Sequence, residues 1–159
     1  MRICFNLMLA AALVVLPAAA FAKPIPGKGY SRSDVIAYLS GQGMTATEQK
    51  DGNGRRILKT AYGGVNFDVY FFDCDDKDEF CTSIQFAAGW SLSSAIDSST
   101  LNAWNKDKRW MRAYLTGDNN EALYGEMDII IGSNTTETLN SYVATWKIAL
   151  PQFKTHFKL

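Results

Sequence analysis

The sequence predicts an α+β fold in which helices pack against one antiparallel sheet. Three patterns indicate this fold: hydrophobic alternation with a two-residue period, turn sequences between the alternating stretches, and one long amphipathic helix at the end of the chain. The 159 residues contain no repeat or low-complexity tract, which fits a single domain. We expect about five to six strands in the sheet.

Residues 1–22 have the composition of a signal peptide. Arg2 precedes an apolar run over residues 7–20, and Ala20-Phe21-Ala22 supplies the small residues of a cleavage site. The sequence therefore predicts cleavage after Ala22 and a periplasmic or secreted location, with no membrane insertion of the mature chain.

The mature chain would hold 137 residues (159 − 22), with a Pro/Gly-rich linker over residues 23–30 and one domain over residues 31–159. Its 15 basic residues (16 − 1, because Arg2 lies in the leader) nearly balance its 16 acidic ones. This near-neutral charge argues against a nucleic-acid partner or an anionic membrane surface.

The first predicted elements are a helix and a hairpin. Ser31 suits the N-cap of a helix with Asp34 in its first turn, and glycines end the helix. Its apolar side is formed by Val35, Ile36 and Leu39. Residues 44–50 and 55–62 then flank Asp51-Gly52-Asn53-Gly54, which suits a hairpin turn.

A second hairpin is predicted around Cys74 and Cys81, which enclose six residues, four of them acidic. Two cysteines in an exported chain favour a disulfide. If Cys74 faces Cys81, apolar residues also face one another across the hairpin, whereas a one-residue slip would bury polar residues. The apolar pairs are Phe71 with Ile84, Val69 with Phe86, and Phe67 with Ala88; the other side carries Phe72 with Ser83 and Tyr70 with Gln85.

Two other interpretations of this segment stay open. Asp73, Asp75 and Glu79 are spaced like calcium ligands, although Asp78 and Ile84 stand where an EF-hand loop needs glycine and glutamate. A redox pair would more often have Cys-x-x-Cys spacing at a helix start. Zinc would need four ligands, and the sequence has one distant histidine. We predict a structural disulfide and no metal site.

A short helix and a third hairpin follow in the sequence. Ser98 or Ser99 suits the cap of a helix over residues 101–106, and strands at 109–116 and 121–131 flank a turn. The pattern leaves the buried face of this hairpin undecided. Two pairs of residues compete for that face, Trp110 with Tyr114 and Met111 with Leu115.

The closing helix is the clearest element. Asn134 and Glu137 form a variant of the capping box at its start, and Pro151 is expected to kink it because proline removes the hydrogen bond to residue 147. Three- and four-residue spacing places the apolar residues on one face. They are Leu139, Tyr142, Val143, Trp146, Ala149, Leu150, Phe153 and Phe157.

No motif in the sequence indicates an enzyme or a cofactor. His156 has no recognisable orienting partner, and we expect it at the surface. Glu126 and Asp128 lie on one face of a strand, where they suit a solvated rim or a partner for Arg112 better than a catalytic dyad. We predict no catalytic residues and no cofactor.

The four tryptophans are a better functional lead. Most large aromatic side chains fill the core, but a domain of this size can leave one or two in a groove. We predict a groove beside Trp90 and Trp104 for a protein or peptide partner, with Asn105 and Trp110 as further contacts. The basic and aromatic residues of 106–112 fit a solvated strand edge better than a nucleic-acid site.

A pattern in the second half of the domain carries a family resemblance. Its residues are Leu101-Asn102-Ala103-Trp104-Asn105, Arg109-Trp110, Ala113-Tyr114-Leu115 and Met127-Asp128-Ile129-Ile130 before Gly132. They are similar to the signature of the YbjN family, described as bacterial sensory-transduction regulators, and the likeness extends from about Ser31 to Phe157. The resemblance implies a sandwich similar to type III secretion chaperones, which bind polypeptide segments, and no enzyme activity or cofactor.

The leader and the cysteine pair depart from that family, because such regulators and chaperones work in the cytoplasm. Asn102 and Asn105 are expected to lie buried near the helix end, with amides that satisfy backbone groups of the next strand. We therefore expect an exported, non-enzymatic binding or regulatory domain that recognises a protein or peptide and could form a homodimer. The alternatives are a periplasmic hydrolase with an unrecognised site and a weak calcium-binding module.

Overall fold

The computed structural model describes residues 29–118, 120–130 and 136–159. These residues form three helices and six strands, which are α1 Arg32–Gly41, β1 Thr47–Lys50, β2 Arg56–Tyr62, β3 Val65–Cys74, β4 Cys81–Ser91, α2 Ser98–Asp107, β5 Arg112–Thr116, β6 Ala122–Ile130 and α3 Thr136–Phe157. The strands form one antiparallel sheet in the order β1-β2-β3-β4-β6-β5. The α+β prediction is confirmed. The predicted leader, most of the linker and the Asn134 cap lie outside the described residues.

The first helix begins as the sequence predicts. The Ser31 hydroxyl accepts a hydrogen bond from the Asp34 N–H at 3.1 Å, and the Asp34 carboxylate accepts one from the Ser31 N–H at 3.3 Å. This reciprocal pair satisfies two N–H groups that a helix start leaves without partners. Val35 and Leu39 are buried against the sheet.

The β3–β4 hairpin has the predicted register. Cys74 pairs with Cys81, and Phe71 pairs with Ile84. The two side chains of each pair point to the same face of the sheet, as the two-residue alternation requires. The structure contains the Cys74–Cys81 disulfide. A single alignment therefore satisfies both the covalent link and the apolar pairs.

All three helices contribute to one core on the same face of the sheet. Val35 of α1, Trp104 of α2 and Trp146 of α3 belong to a single buried cluster with alternating residues of the strands. Rings at its centre pack edge to face, with the Trp146 centroid 5.6 Å from Phe86 and 5.4 Å from Phe67. The open question about the third hairpin is settled there, since Met111 is buried and Trp110 is 51 % exposed.

The cap of α2 differs from the prediction. The helix begins at Ser98, and Asp97 is its N-cap, so the prediction of Ser98 or Ser99 as cap was wrong. The Asp97 carboxylate accepts from the Thr100 N–H at 2.9 Å and also from the Ser99 hydroxyl. Aspartate is at least as good a cap as serine, and its charge also favours a helix N-terminus.

The closing helix α3 packs by its predicted apolar face. Its buried residues are Leu139, Val143, Trp146, Leu150, Phe153 and Phe157, and Tyr142 and Ala149 are partly buried. The helix continues through Pro151 as one element to its end. Phe153 approaches the sheet closely at Gly125, where an added Cβ would lie 2.9 Å from the ring. Because Gly125 has no side chain, α3 can pack closely against β6 at this point.

Candidate functional site

The face of the sheet opposite the core is the candidate site. Phe67, Val69 and Ile84 belong to the core, so the residues that alternate with them point to the other face. The helices of the described chain contribute their buried residues to the core side. The second face therefore presents strand side chains to solvent.

A furrow follows β4 along the middle of this face. Here β4 carries small side chains at Ser83, Ala87 and Gly89, while its neighbours β3 and β6 carry larger ones. The Tyr124 ring lies so close over Gly89 that an added Cβ would be 2.8 Å from it. The furrow opens into a groove with a volume of about 770 Å³, which we call the sheet groove. Its lining includes Phe72, Asp73, Gln85, Arg112, Glu126 and Asp128.

Glu126 is a buried charge in the wall of the sheet groove, with only 7 % of its surface exposed. Arg112 donates to Oε2 from Nη2 at 2.6 Å and from Nε at 3.1 Å, and the Tyr114 hydroxyl donates to Oε1 at 2.5 Å. Both carboxylate oxygens thus have donors, as a buried charge requires. The predicted Arg112 partner is confirmed.

This network also sets the protonation of its members. Burial, followed by the hydrogen bond to Glu126, raises the pKa of the Tyr114 phenol. The hydrogen bond to Glu126 raises the pKa of Arg112. Both groups therefore stay protonated and act as donors at neutral pH, so they hold Glu126 in place and do not exchange protons with a bound molecule.

Two other acids of the sheet groove, Asp73 and Asp128, form none of the ion pairs found in the described part of the chain. Asp128 accepts a hydrogen bond from the Gln85 amide at 2.7 Å, and Asp73 also lines the groove. The lining holds one basic residue, Arg112, and three acidic residues, a balance of 1 − 3 = −2. Arg112 is already bonded to Glu126. The groove therefore favours a cationic group.

Two large apolar side chains are exposed beside these acids. Phe72 on β3 and Ile130 on β6 both pair with Ser83, from its two sides. Two strand spacings place them about 10 Å apart. Phe72 is 37 % exposed and Ile130 is 75 % exposed. An exposed apolar patch that is rimmed by polar side chains is typical of interaction sites.

The disulfide hairpin is tied to α1. Arg32 is a buried residue of α1 whose Nη1 donates to the Asp78 carbonyl oxygen at 2.6 Å, while Nη2 donates to Asp78 Oδ1 at 3.0 Å. Its guanidinium also lies 4.8 Å from the centre of the Phe71 ring. These contacts, together with the disulfide, fix the tip of the hairpin against the helix layer.

The acidic residues of this tip are occupied by local contacts. The Asp75 carboxylate accepts from the N–H of Glu79 at 2.8 Å and of Phe80 at 3.3 Å, which lowers its pKa. In the described residues, the ligand-type side chains that converge are Cys74, Asp78 and Cys81, and the two sulfurs are bonded together. Asp75, one of the acids whose spacing resembles that of calcium ligands, thus stabilises the turn by accepting hydrogen bonds from its backbone.

The structure brings Trp90 and Trp104, which the sequence proposed for one groove, against the same ring of α3. Trp90 is half-buried and stacks on Phe153 at 5.1 Å, and Trp104 packs edge to face on the same ring at 5.0 Å. Trp104 is only 1 % exposed, and its indole N–H donates to the Met111 carbonyl at 2.7 Å. Both lie on the core side, away from the sheet groove.

The two asparagines differ in their roles. Asn105 exchanges two hydrogen bonds with the backbone of Ala113, which confirms the expected structural contact to the next strand. Asn102 and Asn105 are both exposed, so the expected burial was wrong. Their positions near the helix end leave one side of each amide in solvent. Trp110 is exposed with the Arg109 guanidinium 4.5 Å from its ring centre, and its use by a partner stays a prediction.

His156 is less exposed than expected. It is half-buried, its Nε2 lies 3.0 Å from the Thr100 carbonyl oxygen, and its ring is 5.4 Å from Trp104. These contacts place it at the junction of α2 and α3. The sequence offered no sign of this, because the contact joins segments more than fifty residues apart.

The sequence contained a signal for the sheet groove. The alternation that places Phe71 in the core leaves Tyr70 and Phe72 on the other side of β3, opposite the small or polar residues of β4. Large aromatic residues on a solvent face are a departure from the usual pattern. The remaining wall could not be placed, because the pairing of β4 with β6 joins distant segments.

Comparisons with known proteins agree with this architecture. The family model named YbjN, described as "Putative bacterial sensory transduction regulator", matches residues 31–159. A similar solved structure is titled "Crystal structure of YbjN, a putative transcription regulator from E. coli"; it has 17 % identity, covers 71 % of this chain and 80 % of that chain, and superposes with a TM-score of 0.51. At this identity the likeness shows the fold. No curated protein sequence gives a significant match.

No helix in the described residues is both long and apolar enough to cross a bilayer.

Proposed function

The chain belongs to the YbjN family, and on this premise we propose that it is a non-enzymatic regulatory domain whose sheet groove binds an extended segment of another protein. The segment carries lysine or arginine side chains. Membership in a family of regulators supports the regulatory role. The binding role rests on the sheet groove itself.

The observation that carries the proposal is that exposed apolar side chains and acidic side chains without an ion pair lie together at one end of the sheet groove. Phe72 offers a ring face and Ile130 an aliphatic surface, while Asp73 and Asp128 supply two negative charges. A lysine or arginine side chain matches both, because its aliphatic stem packs on apolar surface and its cationic head reaches a carboxylate.

The groove supports binding better than catalysis. Arg112 and Tyr114 are both hydrogen-bonded to Glu126, and the raised pKa of each keeps it protonated at neutral pH. A general acid or base needs a proton that it can gain or lose at that pH. Such a network instead gives a rigid wall, which lowers the entropic cost of binding.

We also propose that the domain is exported. The disulfide supports this, because such bonds persist in oxidising compartments. The test is to express the full chain in a bacterial host and to measure the mass and free thiols of the protein in the envelope fraction. We expect a chain that begins at Lys23 and has no free thiol. An intact leader on protein retained in the cytoplasm, or two reduced cysteines, would contradict export.

The binding proposal is tested with two labelled peptides of about ten residues that differ in charge alone, one with alternating lysine and valine and one with glutamate in place of lysine. Fluorescence anisotropy should show binding of the lysine peptide only, weakening as salt rises. Amide shifts in an NMR titration should cluster on β3, β4 and β6.

Matched variants locate the contact. Asp128→Asn retains an acceptor for Gln85 but removes the charge, and should weaken binding of the lysine peptide by about 3- to 10-fold. Asp107→Asn, on the exposed surface of α2, is the control and should have no effect. Equal binding of both peptides, or a dimer that buries the open face of the sheet, would refute the proposal.

A further inference from the structure

A second cavity lies on the helix side of the sheet, between the turn after β2 and the last turns of α3. Its volume is about 500 Å³, in the range of sites that hold one small molecule. We call it the lysine pocket. Its apolar lining comes from Tyr62, Val65, Leu150, Pro151 and Leu159, and its cationic lining from Lys147, Lys154 and Lys158.

Two of the three lysines lie along one side of α3. Lys147 and Lys154 are seven residues apart on this helix, and Lys158 follows directly after its end. In the described part of the chain none of the ion pairs involves these lysines. The Lys147 ammonium donates to the backbone and side-chain oxygens of Gln42, each at 3.4 Å, and lies 5.0 Å from the centre of the Tyr62 ring. The side chains of the lining therefore include three cationic groups and no acidic one.

Lys158 has an uncommon backbone for a lysine. Its φ of 56° lies in the left-handed region, at the position after the helix end where glycine is favoured. The Leu159 N–H bonds to the Lys154 carbonyl at 3.0 Å, so this angle closes the helix end, where lysine is less favourable than glycine. The Lys158 side chain lines the lysine pocket.

We propose that the lysine pocket binds a carboxylate with an unbranched alkyl chain. The alkyl chain packs on the apolar lining, and the ammonium groups donate hydrogen bonds to the carboxylate. The lining has no arginine, so the anionic head group is held by ammonium point charges and not by a planar guanidinium. This inference does not rest on the proposed function, because the lysine pocket and the sheet groove share no residue.

Isothermal titration of the purified protein with alkyl carboxylates, kept below their micelle concentrations, tests the proposal. Octanoate, decanoate and dodecanoate should bind one molecule per chain, with a dissociation constant that falls by up to about 4-fold for each added methylene. Acetate has the carboxylate without a long alkyl chain, and decyltrimethylammonium has the alkyl chain with a positively charged head group. Neither should bind.

Two variants separate binding from folding. Lys154→Gln should weaken decanoate binding by about 3- to 10-fold. Lys158→Gly should weaken it by a similar factor while thermal stability stays equal or rises, because glycine relaxes the backbone at this position. Lys106→Gln, on the surface of α2, is the matched control and should leave binding unchanged.

Several outcomes would overturn the proposal. One is the absence of heat at millimolar decanoate. A second is binding of decyltrimethylammonium as tight as that of decanoate, which would indicate a tail site without charge selection. A third is decanoate affinity that is unchanged in both Lys154→Gln and Lys158→Gly. In that case the ligand would lie elsewhere on the chain.

Discussion

Asn105 and Ala113 exchange two hydrogen bonds, from Asn105 Nδ2 to the Ala113 carbonyl at 3.0 Å and from the Ala113 N–H to Asn105 Oδ1 at 2.8 Å. This is the pattern by which a neighbouring strand would bond to the same residue. Ala113 lies on β5, which is an edge of the sheet. The asparagine amide thus occupies backbone groups through which an edge strand could pair with another chain.

We therefore expect Asn105→Ala to free this edge. The variant should lose about 1–2 kcal/mol of unfolding free energy in urea titration, because two hydrogen bonds are removed. It should also self-associate in light scattering at high concentration. Asn102→Ala is the matched control on the same helix, and an equal effect there would refute the role of Asn105.

Gly125 supports the contact between the sheet and α3. An added Cβ would overlap the Met111 Cε and lie 2.9 Å from the Phe153 ring. Gly125→Ala should destabilise the domain by about 1–3 kcal/mol, since the core would have to shift. At Gly41, the last residue of α1, a Cβ meets nothing within 4 Å. Gly41→Ala should be neutral or stabilising by about 0.5–1 kcal/mol; chemical denaturation compares the two.

The disulfide should contribute to stability by constraining the unfolded chain. For a loop of eight residues the chain-entropy estimate is about 2.5 kcal/mol. Replacing both Cys74 and Cys81 by alanine should lower the free energy of unfolding by roughly this amount. The wild-type protein in reductant should show a similar loss. If the reduced protein is as stable as the oxidised one, the link is not structural.

The N-cap of α2 should make part of the free energy of unfolding depend on pH. The hydrogen bond from the Ser99 hydroxyl, with those from Thr100, lowers the pKa of Asp97 to about 2. Because the unfolded value is about 3.9, this contribution is complete above that pH and is lost as the pH falls through about 2. Asp97→Asn keeps a capping oxygen but does not titrate.

Melting temperatures between pH 5 and pH 2 check this expectation. The fall in Tm on acidification should be smaller in Asp97→Asn than in wild type. Asp76→Asn, at an exposed position of the disulfide hairpin, serves as the comparison. A variant whose acid-induced fall equals that of wild type would show that Asp97 titrates alike in the folded and unfolded chain.

The elements set by short-range pattern were predictable. The capping box of Ser31 and Asp34, the register through Cys74 and Cys81, and the apolar face of α3 each depend on residues close in sequence or on a strict period. Local pattern predicted the wrong N-cap for α2. Asp97, Ser98 and Ser99 can each accept a hydrogen bond from an N–H group of the first turn, and the structure uses Asp97.

The candidate site depended on contacts that no short segment contains. Glu126 is buried and hydrogen-bonded because β6 lies between β4 and β5. This strand order brings Arg112 and Tyr114 of β5 to its carboxylate oxygens. Trp104 is buried because α2 packs where Phe153 of α3 also lies. Local sequence specifies which residues share a face of a helix or strand. Which faces then meet is decided by the packing of distant elements, and that choice determines which side chains are left to bind.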